Sequence, residues 1–243
     1  MTFSEDPLAL STYHFRRRTP GTFLLVPCPQ LGRSIRCQGQ LEGAAATILA
    51  ACPRVKMLQE QPFTIWYRWQ DSPNGPQIEL LPAAPVPGTP REKNRSYIVP
   101  DFFVELHDGR KFLLEVKPAS RLTDAKVPRK LRVGQIYAQL QDWSFMVLTE
   151  RELYQGPLLA NLQLLNRFRR LSVDREVIAR VSALVIGQPR RIADLSNLCS
   201  ELVASSQIRS ILYHLIVTGC LDFDPRTMPL SEESSLFPGG TQP

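Results

Sequence analysis

The stretch YIVPDFFVELHDGRKFLLEVK, residues 97–117, decides how this chain folds. Its flanks, YIVPDFFV (97–104) and KFLLEVK (111–117), carry the β-branched and aromatic residues of two strands. Between them, Asp108-Gly109 is a strong hairpin signal, because the turn needs a positive φ that glycine adopts at little cost. Side chains alternate faces along a strand, so Glu115 and Lys117 project to one side while Val116 points to the core. The turn then folds the segment holding Asp101 back alongside the segment holding Glu115. Two carboxylates and one ammonium are expected to converge.

Two readings of that convergence are open from spacing alone. One is an Asp/Glu–Lys ion pair on the solvent face of a hairpin. The other is a catalytic cluster. FFV and FLLEV are apolar on both faces, which implies a buried sheet, and buried charges need partners or a metal. A magnesium ion uses one or two carboxylates plus water and substrate phosphate. Such an ion can lower the pKa of a water and neutralise charge on a scissile phosphate, with Lys117 orienting the water or balancing the transition-state charge.

Outward from this block, residues 38–51 (QGQLEGAAATILAA) have the spacing of a helix that Pro53 ends, since a proline ring clashes with a continuing helix. Glu42 in that helix is a candidate fourth site residue. From the residues alone, an exposed acid favoured by the helix dipole is the preferred reading. Residues 54–69, ending in FTIWYRW, suit a strand, and 72–90 hold six prolines (Pro73, Pro76, Pro82, Pro85, Pro87, Pro90) and read as a surface excursion. Residues 123–140 are expected to be helical, with Lys126, Arg129, Lys130 and Arg132 as candidate phosphate contacts or a solvated face. Residues 143–148 read as a buried strand. The order α, β, long loop, β, β, α, β predicts a mixed α/β core. From about residue 158 only helices are expected, over 158–170, 173–186, 191–204 and 206–219, with LDFD after Gly219 as a small strand. That pattern fits a helix-turn-helix or winged helix, and equally a helical docking domain for another protein.

The 243 residues, 43% of them hydrophobic, suffice for one medium domain and a smaller one. No run is long enough to span a membrane, and the N-terminus lacks the order of a signal peptide, so a cytoplasmic location is expected. The five scattered cysteines (Cys28, Cys37, Cys52, Cys199, Cys220) form no CxxC pair and read as free thiols. A formal net charge of +6 modestly favours a polyanionic partner. Arg16, Arg17, Arg18, Arg33 and Arg36 lie in a basic arm and read equally as phosphate contacts or as a solvated arm.

Pro100-Asp101 followed by Glu115-Val116-Lys117 matches the PD-(D/E)xK nuclease pattern. More narrowly, residues 32–62, 97–122 and 145–170 resemble the TnsA family, the endonuclease subunits of heteromeric transposases. The resemblance implies a restriction-endonuclease-like mixed sheet flanked by helices, followed by a small helical, winged-helix-like domain. It puts Glu42, Asp101 and Lys117 on the family's catalytic positions, with Glu115 at the third acidic position, where some relatives carry glutamine. Gly39-Gln40 before Leu41-Glu42, where many relatives have serine, departs from the pattern. Also implied are Mg²⁺ held by Asp101, Glu115 and Glu42 (Mn²⁺ substituting), cleavage at the 5′ ends of a transposon, a TnsB-type integrase partner, and a TnsC-type ATP-dependent regulator contacting the C-terminal part. The expected layout is a basic arm (1–35), a nuclease domain (36–165), a helical domain (166–230) and a disordered tail (231–243).

Overall fold

The computed structural model describes residues 23–73, 77–82 and 94–240. The chain divides into two compact units, one ending at Leu153 and one beginning at Tyr154.

The first unit opens with an antiparallel hairpin, β1 (Phe23–Cys28) and β2 (Arg33–Gln38), joined by a single turn of 3-10 helix that Gly32 closes at φ 62°. Residues 23–35 are therefore not an irregular arm, because alternation in LLVPC and SIRCQ buries Val26, Cys28, Ile35 and Cys37 on one face. Arg16 to Arg18 lie outside the described residues. Arg33 is not free for phosphate: its guanidinium holds the buried Glu60 carboxylate at 2.8 and 3.0 Å.

Helix α1 (Gln40–Ala51) packs on the hairpin and on the main sheet, with the small residues Gly43 through Ala46 buried. Strands β3 (Val55–Glu60) and β4 (Ile65–Gln70) follow. The single strand expected over 54–69 is thus two, and they enter different sheets, because Gln61-Pro62 turns the chain between them. Strand β4 pairs antiparallel with β5 (Gln77–Leu81) and β6 (Arg95–Ile98). Residues 77–81 of the proline-rich excursion are consequently a strand, and much of its remainder lies outside the described residues.

The hairpin expected around Asp108-Gly109 is present as β7 (Phe102–Leu106) and β8 (Lys111–Val116), with Gly109 at φ 84°. The segment 97–104 divides, however. Pro100 has no N–H to give a ladder, so the chain leaves the β4 sheet after Ile98 and enters β7 at Phe102. Helix α2 (Val127–Leu140) crosses over to β9 (Ser144–Leu148), which runs parallel to β8, and short α3 (Glu150–Leu153) ends the unit. The result is a mixed four-stranded sheet of order β3-β7-β8-β9 with helices packed on it. One core lies between that sheet, β4 and α2, where Phe103 and Leu113 meet Ile65, Tyr67, Val133 and Tyr137.

The second unit contains α4 (Leu158–Asn166), α5 (Arg175–Ala183), β10 (Arg190–Arg191), α6 (Ile192–Leu198), α7 (Ser205–Val217), β11 (Leu221–Asp222) and β12 (Ser235–Pro238). Asp174 caps α5, its carboxylate accepting from the Glu176 N–H at 2.7 Å. From α5 onward the order is helix, strand, two helices, two strands, with a small antiparallel sheet β10-β12-β11, which is winged-helix topology. Two expectations change. Residues 231–240 are not a disordered tail: Leu236 is fully buried, and β12 is the middle strand of the sheet. The boundary falls at 153/154 rather than 165/166, because α4 packs against α7, and buried Asn161 accepts from the Leu230 N–H and donates to the carbonyls of Pro225 and Met228. Among the described residues no helix is long and apolar enough to cross a membrane.

Candidate active site

Phe102 pairs with Leu114 in the β7/β8 ladder, so Asp101, one step beyond, stands opposite Glu115. The backbone locks this geometry. The Asp101 N–H donates to the Glu115 carboxylate, and its carbonyl accepts from the Gln61 N–H at 2.9 Å. Asp101 Oδ2 accepts from the Val116 N–H at 2.7 Å and from Lys117 Nζ at 3.3 Å. Lys117 Nζ also lies 2.6 Å from Glu115 Oε1. The lysine is itself fixed by its N–H, which donates to the Leu148 carbonyl at 3.0 Å and continues the parallel β8/β9 ladder. The three residues expected to converge do so, with Val116 buried on the opposite side.

The electrostatics are those of too many acids around one amine. Burial pushes the Asp101 carboxyl upward, against the pull of Lys117 and the Val116 N–H. Glu115 rises to about 7, first from burial and then from the Asp101 charge. Glu42 rises to about 8 for the same two reasons, although the Gln38 N–H opposes the shift. Burial alone would discharge Lys117, but Asp101 and Glu115 overrule it and hold the amine protonated. Even the buried Cys37 thiol, pushed up to about 12 by burial and then by Glu42, Glu60 and Asp101, registers the negative field.

Glu42 sits in the first turn of α1, where its carboxylate accepts from the Gln38 N–H at 2.6 Å and so ties the helix start to the end of β2. It is electrostatically coupled to Asp101 and Glu115 but is not gathered with them into one ligand set. Among the described residues no three His, Cys, Asp or Glu side chains form a ready metal cage. Asp101 and Glu115 do fit an ion that takes one or two carboxylates and completes its shell with water and phosphate. The excess of buried negative charge over the single Lys117 is the feature such a cation would relieve.

A cavity opens at this point, lined by Asp101, Glu115 and Lys117 together with Gln38, Gln61, Tyr97 and Lys130. The first three of those added residues had no role assigned from sequence. Gln61-Pro62 stood out only as part of a family-like segment, and Tyr97, its ring centroid 4.9 Å from that of Trp66 at a tilt of 48°, belongs to the second sheet, whose approach to the site no local pattern reveals. The basic helix divides. Lys130 lines the cavity, and Lys126 and Arg132 are exposed, but the Arg129 guanidinium lies 3.9 Å over the Trp69 ring and is part of the packing between α2 and β4.

The model of the TnsA-like endonuclease N-terminal family matches residues 52–150. The Tn7 transposition protein TnsA of Escherichia coli is 28% identical over 106 residues, which is 42% of this chain and 38% of that protein. The aligned part therefore spans well under half the length of this relative. The family match includes Asp101, Glu115 and Lys117 and begins after Glu42. The acid-and-lysine cluster thus stands at the end of a β-hairpin inside the matched stretch, on a mixed sheet of restriction-endonuclease-like kind, and residues 52–150 are similar to the N-terminal domain of TnsA-like endonucleases.

Proposed function

We propose that this chain is the endonuclease subunit of a transposition system, cutting DNA at the 5′ ends of a mobile element. The observation that carries the reading is Lys117 Nζ shared between Asp101 and Glu115 at 3.3 and 2.6 Å in a cavity with surplus negative charge. A divalent cation, Mg²⁺ or in its place Mn²⁺, would be held by Asp101 and Glu115 with Glu42 adding to the field. It would supply Lewis-acid chemistry: neutralisation of the scissile phosphate and a lowered pKa for water.

The chain's own groups account for the rest. Asp101 is rigid, with the Val116 N–H and Lys117 both donating to one oxygen. Lys117, kept protonated by its two neighbours, offers a donor to a phosphate oxygen or an attacking water. Lys130 at the cavity rim, with exposed Lys126 and Arg132, supplies positive charge where a duplex backbone would lie. Double-stranded transposon ends, a TnsB-type integrase cutting the other strand, and a TnsC-type regulator docking on the C-terminal unit complete the proposal, with a cytoplasmic, nucleoid-associated place of work.

The test is strand-specific cleavage of DNA carrying the element's ends, with the integrase subunit and Mg²⁺ present. Asp101→Asn is expected to abolish 5′-strand cuts and leave subunit binding intact. Lys117→Ala is expected to lower cleavage by about 10²–10³-fold while Mn²⁺ affinity stays within a few-fold. Unimpaired cleavage by the Asp101 variant removes the proposed site. Efficient cutting of naked DNA by the unmodified chain alone would replace the transposition reading with a stand-alone nuclease.

A further inference from the structure

Gln61 lines the same cavity as Asp101, Glu115 and Lys117, yet its side-chain oxygen Oε1 is buried with no hydrogen-bond donor. The residue as a whole is only 7% exposed. A buried amide oxygen left unsatisfied is rare in native structures and costly. The backbone is strained as well. Gln61 has φ 44°, a left-handed conformation that a non-glycine residue pays for, and it precedes Pro62, which restricts it further. Its neighbours over-determine this placement: Glu60 is clamped by Arg33, and the Gln61 N–H donates to the carbonyl of Asp101 itself. The side chain is thus held beside the acidic cluster through the same backbone that positions Asp101.

We propose that Gln61 is a neutral oxygen ligand for the divalent cation of this site, completing a shell begun by Asp101 and Glu115. The inference rests on the metal-dependent reading above. A carbonyl oxygen is a hard donor of the type magnesium and manganese accept. A neutral donor also suits this cavity better than another acid. Glu42, Asp101 and Glu115 already exceed Lys117 in charge, and a fourth carboxylate would raise the repulsion felt when the ion is absent. The missing donor to Oε1 is then explained, since its lone pairs are reserved for a cation.

The experiment is calorimetric titration of the full chain with Mn²⁺, paired with thermal melting of each variant without metal. Gln61→Gly removes the oxygen and relaxes the left-handed φ, so it should melt at or above the unmodified protein. Its Mn²⁺ affinity should fall at least about tenfold. Gln61→Leu should lose affinity similarly, and Gln61→Glu, which restores an oxygen, should bind Mn²⁺ more tightly than Gln61→Leu. A Gly variant that melts normally and binds Mn²⁺ within twofold of the unmodified chain overturns the assignment, as does equal affinity of the Glu and Leu variants. Asp101→Asn separates the two levels. If it also leaves Mn²⁺ binding unchanged, the metal reading of the whole cavity fails. If it weakens binding while the Gln61 variants do not, only the Gln61 assignment falls.

Discussion

Lys117 carries its charge in a place where burial works against it, and Asp101 and Glu115 make that possible. The converse does not hold: one ammonium cannot keep Glu42, Asp101 and Glu115 all ionised near neutrality. With Glu115 raised to about 7 and Glu42 to about 8 from an ordinary 4.5, the folded chain retains protons that the unfolded chain has released. Stability falls with rising pH wherever the native state binds the extra protons. The contribution is therefore complete below about pH 4.5 and is lost as pH climbs through 7 to 8. Melting temperatures measured in chelator should decline between pH 5 and pH 8. Glu42→Gln should flatten part of that slope, and Mn²⁺ added at pH 8 should recover the lost stability. A melting temperature that rises steadily from pH 5 to pH 8 in chelator contradicts this account of the site.

At the scale of elements, α2 depends on how closely it can approach the sheet. A Cβ at Gly134 would stand 2.5 Å from Cε2 and 2.9 Å from Cζ of Phe145, a rigid ring on β9. Gly43 in α1 has a superficially similar contact, 2.6 Å to Leu24 Cδ1, but that atom is the tip of a flexible side chain on β1. Alanine in a helix interior gains about 1 kcal/mol over glycine, whereas overpacking a core costs about 1–3 kcal/mol. With a rigid ring in the way, Gly134→Ala should therefore destabilise the first unit by up to about 2 kcal/mol net. Gly43→Ala should be near neutral, because Leu24 can rotate away. Urea unfolding of the two variants separates them, and equal stabilities would mean that α2 does not lie as tightly on β9 as described. Because Lys130 is on the same helix, Gly134→Ala should also impair cleavage more than Gly43→Ala does.

At the scale of the whole molecule, each unit has a buried apolar cluster. The second has its own cluster of Val181, Val185, Ile192, Leu195, Leu212, Leu215, Leu221 and Leu236, all drawn from residues after Tyr154. A core this size, with Asn161 tying α4 to residues 225–230, is enough for independent folding. A fragment comprising 154–243 should give a cooperative thermal transition and near-ultraviolet dichroism from its packed aromatics, among them Phe168 and Tyr213 at 5.2 Å. A fragment cut at 166, which deletes α4 and Asn161, should be markedly less stable. Equal stability of the two fragments would place the boundary back near residue 165.

From sequence alone the chain's central hairpin was determined, together with its Asp-Gly turn and the shared face of Glu115 and Lys117. These follow from rules acting over a few residues: period-two alternation, a glycine at positive φ, and the placement of helix breakers. The helices around 40–51 and 127–140 were legible for the same reason. Tertiary structure alone decided what lies around the hairpin. Gln61 reaches the cavity because β3 pairs with β7, and Tyr97 because β4 and β6 form a second sheet, and strand partnership between distant segments leaves no local trace. Arg129 and Lys130 are adjacent, yet one packs on Trp69 and the other lines the site, a division set by the rotation of α2 on the sheet. The short strand around buried Leu236 in the serine-rich C-terminal segment was missed because four residues suffice for it, too few for a period to show. The acids share one lysine only because the fold excludes water from them, and desolvation is a property of the assembled interior that no single stretch of chain contains.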